Sequence, residues 1–170
     1  MSKRLKQMQN YTEKAKEIIA KNIYMTIATA TRDGEPWISP VFFAYDDGYN
    51  LFWTSEKESR HSRLIRENGR VAIVVFDSSA PEGEGDGVYF EANAAEINDP
   101  EEAKQAMALF SARATQDEFK VWKVEEVTGN GAWRMYKATP HKISKLTEGE
   151  YVNEQYVDRR IEISLGANQN

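Results

Sequence analysis

The chain of 170 residues contains no cysteine. This absence excludes disulfide bonds, zinc–thiolate sites, iron–sulfur clusters and thiol catalysis, and it is what a reducing compartment permits. Long apolar runs are missing as well: the longest clear one, 71–76, is far too short to span a membrane. The basic N-terminus leads into polar residues without the apolar core of a signal peptide. We therefore expect a cytoplasmic protein that does not act at a membrane.

An excess of positive charge is also lacking, since 27 acidic residues face 22 basic ones and the net charge is -5. This balance argues against a nucleic-acid partner bound through non-specific charge. Apolar residues make up 41% and charged residues 29%, which is the composition of a soluble globular protein. No repeat, low-complexity tract or linker divides the sequence, so we expect one domain over residues 1–170.

The hydrophobic periodicity predicts a mainly β protein of the α+β type. A helix is expected at about 11–22, a second over 55–68 that ends at Gly69, and a third that begins after Asp99. The first three strands predict an antiparallel meander, and the residues from about 150 to 170 form a polar tail. Roughly six strands with short connections favour a barrel flanked by helices. The expected strands are 25–30, 37–45, 51–54, 70–76, 88–97, and 132–138 and 142–146, which Pro140 separates.

The segment 53–63, Trp-Thr-Ser-Glu-Lys-Glu-Ser-Arg-His-Ser-Arg, lies where the third strand passes into a helix. A helix N-terminus presents free backbone N–H groups and the positive end of a dipole, which favour a phosphate group. Arg60 and Arg63 are three residues apart and could donate from one helical face. Serines also cap helices and arginines solvate their surfaces, so a segment of this kind taken alone is more often an ordinary helix start. Either Ser55 or Ser59 could be the cap.

A longer series of motifs accompanies this segment. In order along the chain they are 27–29 (IAT), 33–36 (DGEP), 39–43 (SPVFF), 51–55 (LFWTS), 59–64 (SRHSRL) and 70–73 (RVAI). Their order and spacing resemble the pyridoxamine 5'-phosphate oxidase-like FMN-binding split-barrel superfamily over about 24–96, and more loosely to the C-terminal end. The resemblance implies an antiparallel, roughly six-stranded split β-barrel with flanking helices. It also implies a homodimer that holds FMN in the cleft between its two subunits.

Site residues follow from the same resemblance. It implies that Thr54 and Ser55 lie near the flavin and its ribityl phosphate, and that backbone around Pro40 and Val41 faces the isoalloxazine ring. An aromatic residue of the second subunit would help to enclose the cofactor, with Trp122 and Trp133 as candidates. The rest of the cofactor-binding set is Trp53, Ser59, Arg60, His61, Ser62 and Arg63; the two serines and two arginines would hold the phosphate group, and His61 would contact either the phosphate or the ring.

The expected function is that of an FMN-dependent oxidoreductase acting on a small molecule. Ser39, Ala44 and Gly87 depart from the pattern of the oxidase proper, so the resemblance does not imply oxidation of vitamin B6. No protein acid or base for the reaction is evident, and no catalytic residue is predicted.

Two alternatives stay open at this stage. One is a non-catalytic protein that binds or senses flavin in the same cleft. The other is a split-barrel protein that uses deazaflavin or haem, and His61 and His141 are the only histidines in the sequence. The acidic loop 77–87 is expected to remain hydrated, and no metal site is predicted.

Overall fold

The computed structural model describes residues 3–117 and 123–166. Within these ranges, no helix is both long enough and apolar enough to cross a membrane. The helices are α1 (Lys3–Lys21), α2 (Arg60–Asn68), α3 (Pro100–Arg113) and α4 (Val124–Val127). The strands are β1 (Tyr24–Ala30), β2 (Pro36–Phe42), β3 (Ala44–Tyr45), β4 (Leu51–Glu56), β5 (Arg70–Phe76), β6 (Gly87–Glu96), β7 (Trp133–Val152) and β8 (Gln155–Glu162).

The strands form one antiparallel sheet in the order β2-β1-β5-β6-β7-β4-β3, with β8 paired to β7 outside this path. The end strands β2 and β3 are consecutive along the chain, separated only by Phe43. Phe43 is fully buried, and its backbone N–H donates to the carbonyl of Ile23 at 3.2 Å. At this residue the chain passes from one end of the sheet to the other. The result is a split barrel, since no ladder joins β2 to β3 among the described strands.

The expected antiparallel split barrel with flanking helices is confirmed, with eight strands instead of roughly six. The meander expected for the first three strands is wrong in part. β1 pairs with β2, but β3 and β4 pair with each other at the far end of the sheet, where β4 lies beside β7. The change of partner strand falls at Phe43, the single residue between β2 and β3, whose side chain is fully buried.

The C-terminal part differs from expectation in two places. β7 is one strand, and a bulge opposite Glu91 and Ala92 accommodates Pro140, which has no N–H to give to a ladder. The tail expected to be merely polar contains β8, and Ile163 and Leu165 beyond it are buried in the core. At the other end of the chain, α1 begins at residue 3, well before the expected start near 11.

Two clusters of buried side chains stabilise this arrangement. The main cluster lies inside the barrel and includes alternate residues of β5, which are Val71, Ile73 and Val75, together with Ala15 and Ile19 of α1. The second cluster joins α3 and α4 to β3 and β4. Between them, α2 contacts β1, β2 and β6, so its first residues lie beside the β1–β2 hairpin.

Candidate functional site

The start of α2 is defined by a serine cap. Ser59 has extended backbone angles, and its Oγ accepts from the backbone N–H of Ser62 at 3.4 Å, while Ser62 Oγ donates to the carbonyl of Glu56 at 2.8 Å. Ser55 cannot be the cap because it belongs to β4, so the choice left open by the sequence falls on Ser59. The helix ends at Gly69 in the left-handed conformation, as expected.

His61 is surrounded by serine hydroxyls at this end of α2. Its Nε2 lies 2.7 Å from Ser55 Oγ, and its Nδ1 lies 3.2 Å from Ser39 Oγ. Ser59 Oγ lies 3.3 Å from Nε2 and donates to Ser62 Oγ at 2.8 Å. We call these five residues the serine–histidine cluster. Ser55, Ser59, His61 and Ser62 were all in the predicted set, and the structure brings them together.

The charge state of His61 follows from its surroundings. Burial lowers the pKa of His61 below its ordinary value of 6.5. The imidazole is therefore neutral at neutral pH, with one ring nitrogen donating and the other accepting. Serine hydroxyls can take either role, so both ring nitrogens are satisfied within the cluster. Positive charge for an anion must come from the arginines and the helix dipole.

Arg60 extends from the first turn of α2 to the β1–β2 hairpin. Its Nη2 donates to Glu35 Oε1 at 3.0 Å, and its guanidinium carbon lies 4.5 Å from the centroid of the Trp37 ring. The indole Nε1 of Trp37 donates to Ser39 Oγ at 3.1 Å. Trp37 therefore contacts Arg60 with its ring face and the serine–histidine cluster with its ring edge.

Arg63 takes a different direction. Its side chain is exposed, and Nη1 donates to the carbonyl of Glu58 at 2.5 Å, in the loop that precedes α2. Arg60 and Arg63 thus start from one side of the helix, as their spacing predicts, but they contact different segments. Arg60 is the one anchored beside the cluster.

The other predicted residues lie on strands next to the cluster. Thr54 is half-buried on β4, and Pro40 is exposed on β2. Val41 and Trp53 belong to the main core cluster, where Trp53 stacks on Tyr136 with ring centroids 5.3 Å apart. Val41 and Trp53 can therefore offer a ligand their backbone, because their side chains are occupied in the core.

The remaining candidates are two tryptophans, a histidine and the acidic loop. Trp133 is 37% exposed and starts β7 opposite the last residue of β4, whereas Trp122 lies outside the described residues. His141 lines a separate cavity of about 530 Å³ on the sheet surface. In the part of the chain that the structure describes, no three histidine or carboxylate side chains are grouped as metal ligands. Asp86 of the acidic loop forms an ion pair with the buried Lys145.

Sequence reasoning missed the contribution of the β1–β2 hairpin. Glu35, Trp37 and Ser39 contact Arg60 or His61, yet none of the three belongs to the predicted site, and Glu35 and Ser39 enter the sequence analysis only through the family resemblance. The available signal was their spacing: residues two apart on a strand point to the same face. Nothing local to the hairpin indicates that this face meets a helix that begins about 20 residues later.

Comparison with known proteins identifies a matching protein family and a relative of known sequence. The family model for pyridoxamine 5'-phosphate oxidase matches residues 11–147. UPF0306 protein PM1958 of Pasteurella multocida (strain Pm70) is 26% identical over 113 residues, which cover 64% of this chain and 74% of that protein.

Two solved structures show the same fold. HutZ, the heme storage protein from Vibrio cholerae, is 18% identical and has a TM-score of 0.64, with 78% of this chain and 92% of that chain covered. An FAD-binding protein from Mesorhizobium loti is 17% identical and has a TM-score of 0.58, with 78% and 91% covered. Since the family model spans most of the sequence and the barrel agrees, the chain belongs to the pyridoxamine 5'-phosphate oxidase-like split-barrel superfamily.

Proposed function

We propose that this protein is a homodimeric FMN-binding oxidoreductase that acts on a small molecule. The observation that carries the proposal is the start of α2, where Arg60, the first-turn amides and the serine–histidine cluster converge. Family membership and a structural neighbour that binds a flavin support the same conclusion. Bound FMN would supply hydride or electron transfer, while the protein holds and orients it.

The donors at this site suit a phosphate group. In the first turn of α2 the Ser59 cap accepts from the N–H of Ser62, whereas the N–H groups of Arg60 and His61 have no acceptor within the helix, and the positive end of the helix dipole lies beside them. Arg60 and Arg63 add permanent charge. Ser62 already donates to the carbonyl of Glu56, so we assign it to shaping the first turn, whereas the amides and Arg60 contact the phosphate.

The ring end of the cofactor is assigned to the strands beside the cluster, where it would contact Thr54 of β4 and Pro40 and the backbone of Val41 of β2. Thr54 is half-buried and Pro40 is exposed, so both are available to a ligand. His61 is neutral at neutral pH and can exchange a hydrogen bond with the cofactor, but it adds no charge to the phosphate.

The outer face of the sheet supports the dimer. Ile38, Ala28 and Ala72 lie side by side on it across β2, β1 and β5. Ile38 is 65% exposed, and Phe76 on the same face of β5 is 46% exposed. An apolar face of this kind is typical of an interface between subunits. Changing Ile38→Asp should convert the dimer to a monomer in analytical ultracentrifugation, and a wild-type monomer would contradict the assignment.

The cofactor assignment is tested with a double variant. Arg60→Ala with Arg63→Ala should lose FMN, seen as flavin absorbance that no longer survives desalting, without loss of the folded state by circular dichroism. Lys14→Ala with Lys104→Ala removes the same charge from exposed positions on α1 and α3 and should retain FMN. Equal FMN affinity in both double variants would refute the phosphate site.

Haem binding is the second candidate, favoured by one observation. His141 lines the cavity of about 530 Å³ together with small apolar residues of β1 and β5, among them Ala28 and Ala72. A haem-storage protein shares the fold. An intense Soret band after addition of haem, lost in His141→Ala, would favour this function over flavin binding.

A further inference from the structure

The guanidinium of Arg60 is held between two residues of the β1–β2 hairpin. Glu35 provides a carboxylate 3.0 Å from Nη2, and Trp37 provides a ring face 4.5 Å from the guanidinium carbon. The position of Glu35 is fixed by the turn before it, since its backbone N–H donates to Thr31 Oγ1 at 2.8 Å and its carbonyl accepts from Thr31 N at 3.0 Å. The hairpin therefore presents a defined anion to Arg60.

The carboxylate of Glu35 is exposed to solvent although it pairs with Arg60. The Glu35 side chain is 66% exposed and that of Arg60 is 39% exposed, so the ion pair is weak and easily exchanged. A phosphate group carries more charge than a carboxylate and can also accept from the first-turn amides of α2. A phosphate at this position would compete with Glu35 for the same guanidinium donors.

We infer that Glu35 is an internal counter-anion of Arg60 that a bound phosphate displaces, and that Trp37 is the positioning residue that keeps the guanidinium at the site. This inference rests on the proposed phosphate site at the start of α2. Because a phosphate must displace Glu35 from Arg60, the affinity for every phosphorylated ligand is lower than it would be without Glu35. The affinity for ligands without a phosphate is unaffected. The hairpin thus sets how much of the binding depends on the phosphate.

Trp37 has the contacts that positioning requires. Its Nε1 donates to Ser39 Oγ at 3.1 Å, which fixes the ring relative to the serine–histidine cluster, and Arg60 stacks on the ring face. A guanidinium that stacks on an aromatic face keeps its N–H groups free, in its own plane, to donate to an anion. Phenylalanine would keep the face, whereas leucine would remove it.

The test compares FMN with riboflavin, which lacks the phosphate, by quenching of flavin fluorescence. Glu35→Gln should bind FMN roughly two- to fivefold more tightly, the range expected for loss of an exposed ion pair, and the gain should shrink at high salt. Trp37→Leu should bind FMN roughly two- to fivefold more weakly, and Trp37→Phe should restore most of the affinity. Riboflavin affinity should stay the same in all three. Glu13→Gln, which removes an exposed carboxylate paired with Lys16 on α1, is the matched control.

Each outcome decides the inference. The inference is supported if Glu35→Gln binds FMN more tightly than the wild-type protein, Glu13→Gln does not, and the affinity for riboflavin is unchanged. If wild-type protein binds FMN but Glu35→Gln binds it equally or more weakly, the inference is overturned while the proposed function stands. If wild-type protein does not bind FMN, the proposed function fails, and calorimetric titration with inorganic phosphate decides the inference. In that case an unchanged phosphate affinity in Glu35→Gln overturns it.

Discussion

Arg113 at the end of α3 joins three parts of the fold, and its replacement by methionine is the sharpest test of the architecture. Its Nη2 donates to the carbonyls of Ile19 at 2.6 Å and Asn22 at 2.5 Å, at the C-terminal end of α1. The guanidinium carbon also lies 4.6 Å from the Phe43 ring centroid and 4.8 Å from that of Tyr45. Arg113 thus caps α1 and covers the point where the chain crosses between the ends of the sheet.

The size of the effect follows from these contacts. Hydrogen bonds from a charged donor contribute about 1.5 to 3 kcal/mol each, and each cation–π contact adds about 0.5 to 1 kcal/mol or more. Against this, the buried Nε has no partner among the described residues, and burial lowers the pKa of Arg113 because desolvation disfavours the charged form. Methionine removes the unpartnered buried Nε, which should raise the free energy of unfolding by about 1 to 3 kcal/mol and offset part of the loss. We expect Arg113→Met to lower the free energy of unfolding by about 3 kcal/mol.

Urea unfolding followed by circular dichroism measures this loss. Lys104→Met, an exposed position on the same helix, is the control and should change the free energy of unfolding by less than about 0.5 kcal/mol. FMN binding by the folded Arg113→Met variant should be retained, since Arg113 contacts no residue of the serine–histidine cluster in the described structure. A loss below about 1 kcal/mol would show that solvent caps α1 as well as Arg113 does.

Two further predictions concern α2. Because burial lowers the pKa of His61, the folded state binds fewer protons than the unfolded state, so the free energy of unfolding should fall as the pH drops from about 7 to about 5.5. His61→Gln should weaken that pH dependence in urea titrations, and an unchanged slope would contradict the burial. Gly69 has a φ of 70°, and a Cβ there would lie 3.4 Å from the carbonyl of Ala94, so Gly69→Ala should cost about 1 kcal/mol in thermal unfolding. Gly85→Ala, whose Cβ would meet nothing within 4 Å, should cost less, and equal losses would refute the cap argument.

Elements whose signals are local were predictable from the sequence. The sequence predicts a strand over 70–76 because the run is rich in valine and isoleucine, and β5 has the same bounds, with Val71, Ile73 and Val75 buried. Asp99 caps α3 by accepting from the backbone N–H of Glu102, as the Asp-Pro-Glu-Glu pattern indicates. Gly69 ends α2 for a similarly local reason. In each case the deciding interaction joins residues a few positions apart.

Features that depend on distant partners were not predictable in the same way. Pro140 is typical of a strand boundary, and only the bulge against β6 lets β7 continue through it. The crossing at Phe43 depends on burial inside a barrel that forms from strands far away in sequence. The strand pattern and the family resemblance both indicate a barrel, but neither specifies which strands lie at its ends.

In the candidate site, too, the helix start was predictable from a local motif, whereas the contacts that set its charge come from distant residues. The motif around Ser59 and His61 predicted a phosphate-binding helix start, but the structure makes His61 neutral and turns the hydroxyl of Ser62 toward a backbone carbonyl. The permanent charge anchored beside the cluster is therefore that of Arg60, and its partners Glu35 and Trp37 lie on the β1–β2 hairpin. The local motif shapes the first turn, while tertiary contacts determine how strongly its charge can bind an anion. Substitutions in the hairpin should therefore change phosphate affinity even when the helix motif is intact.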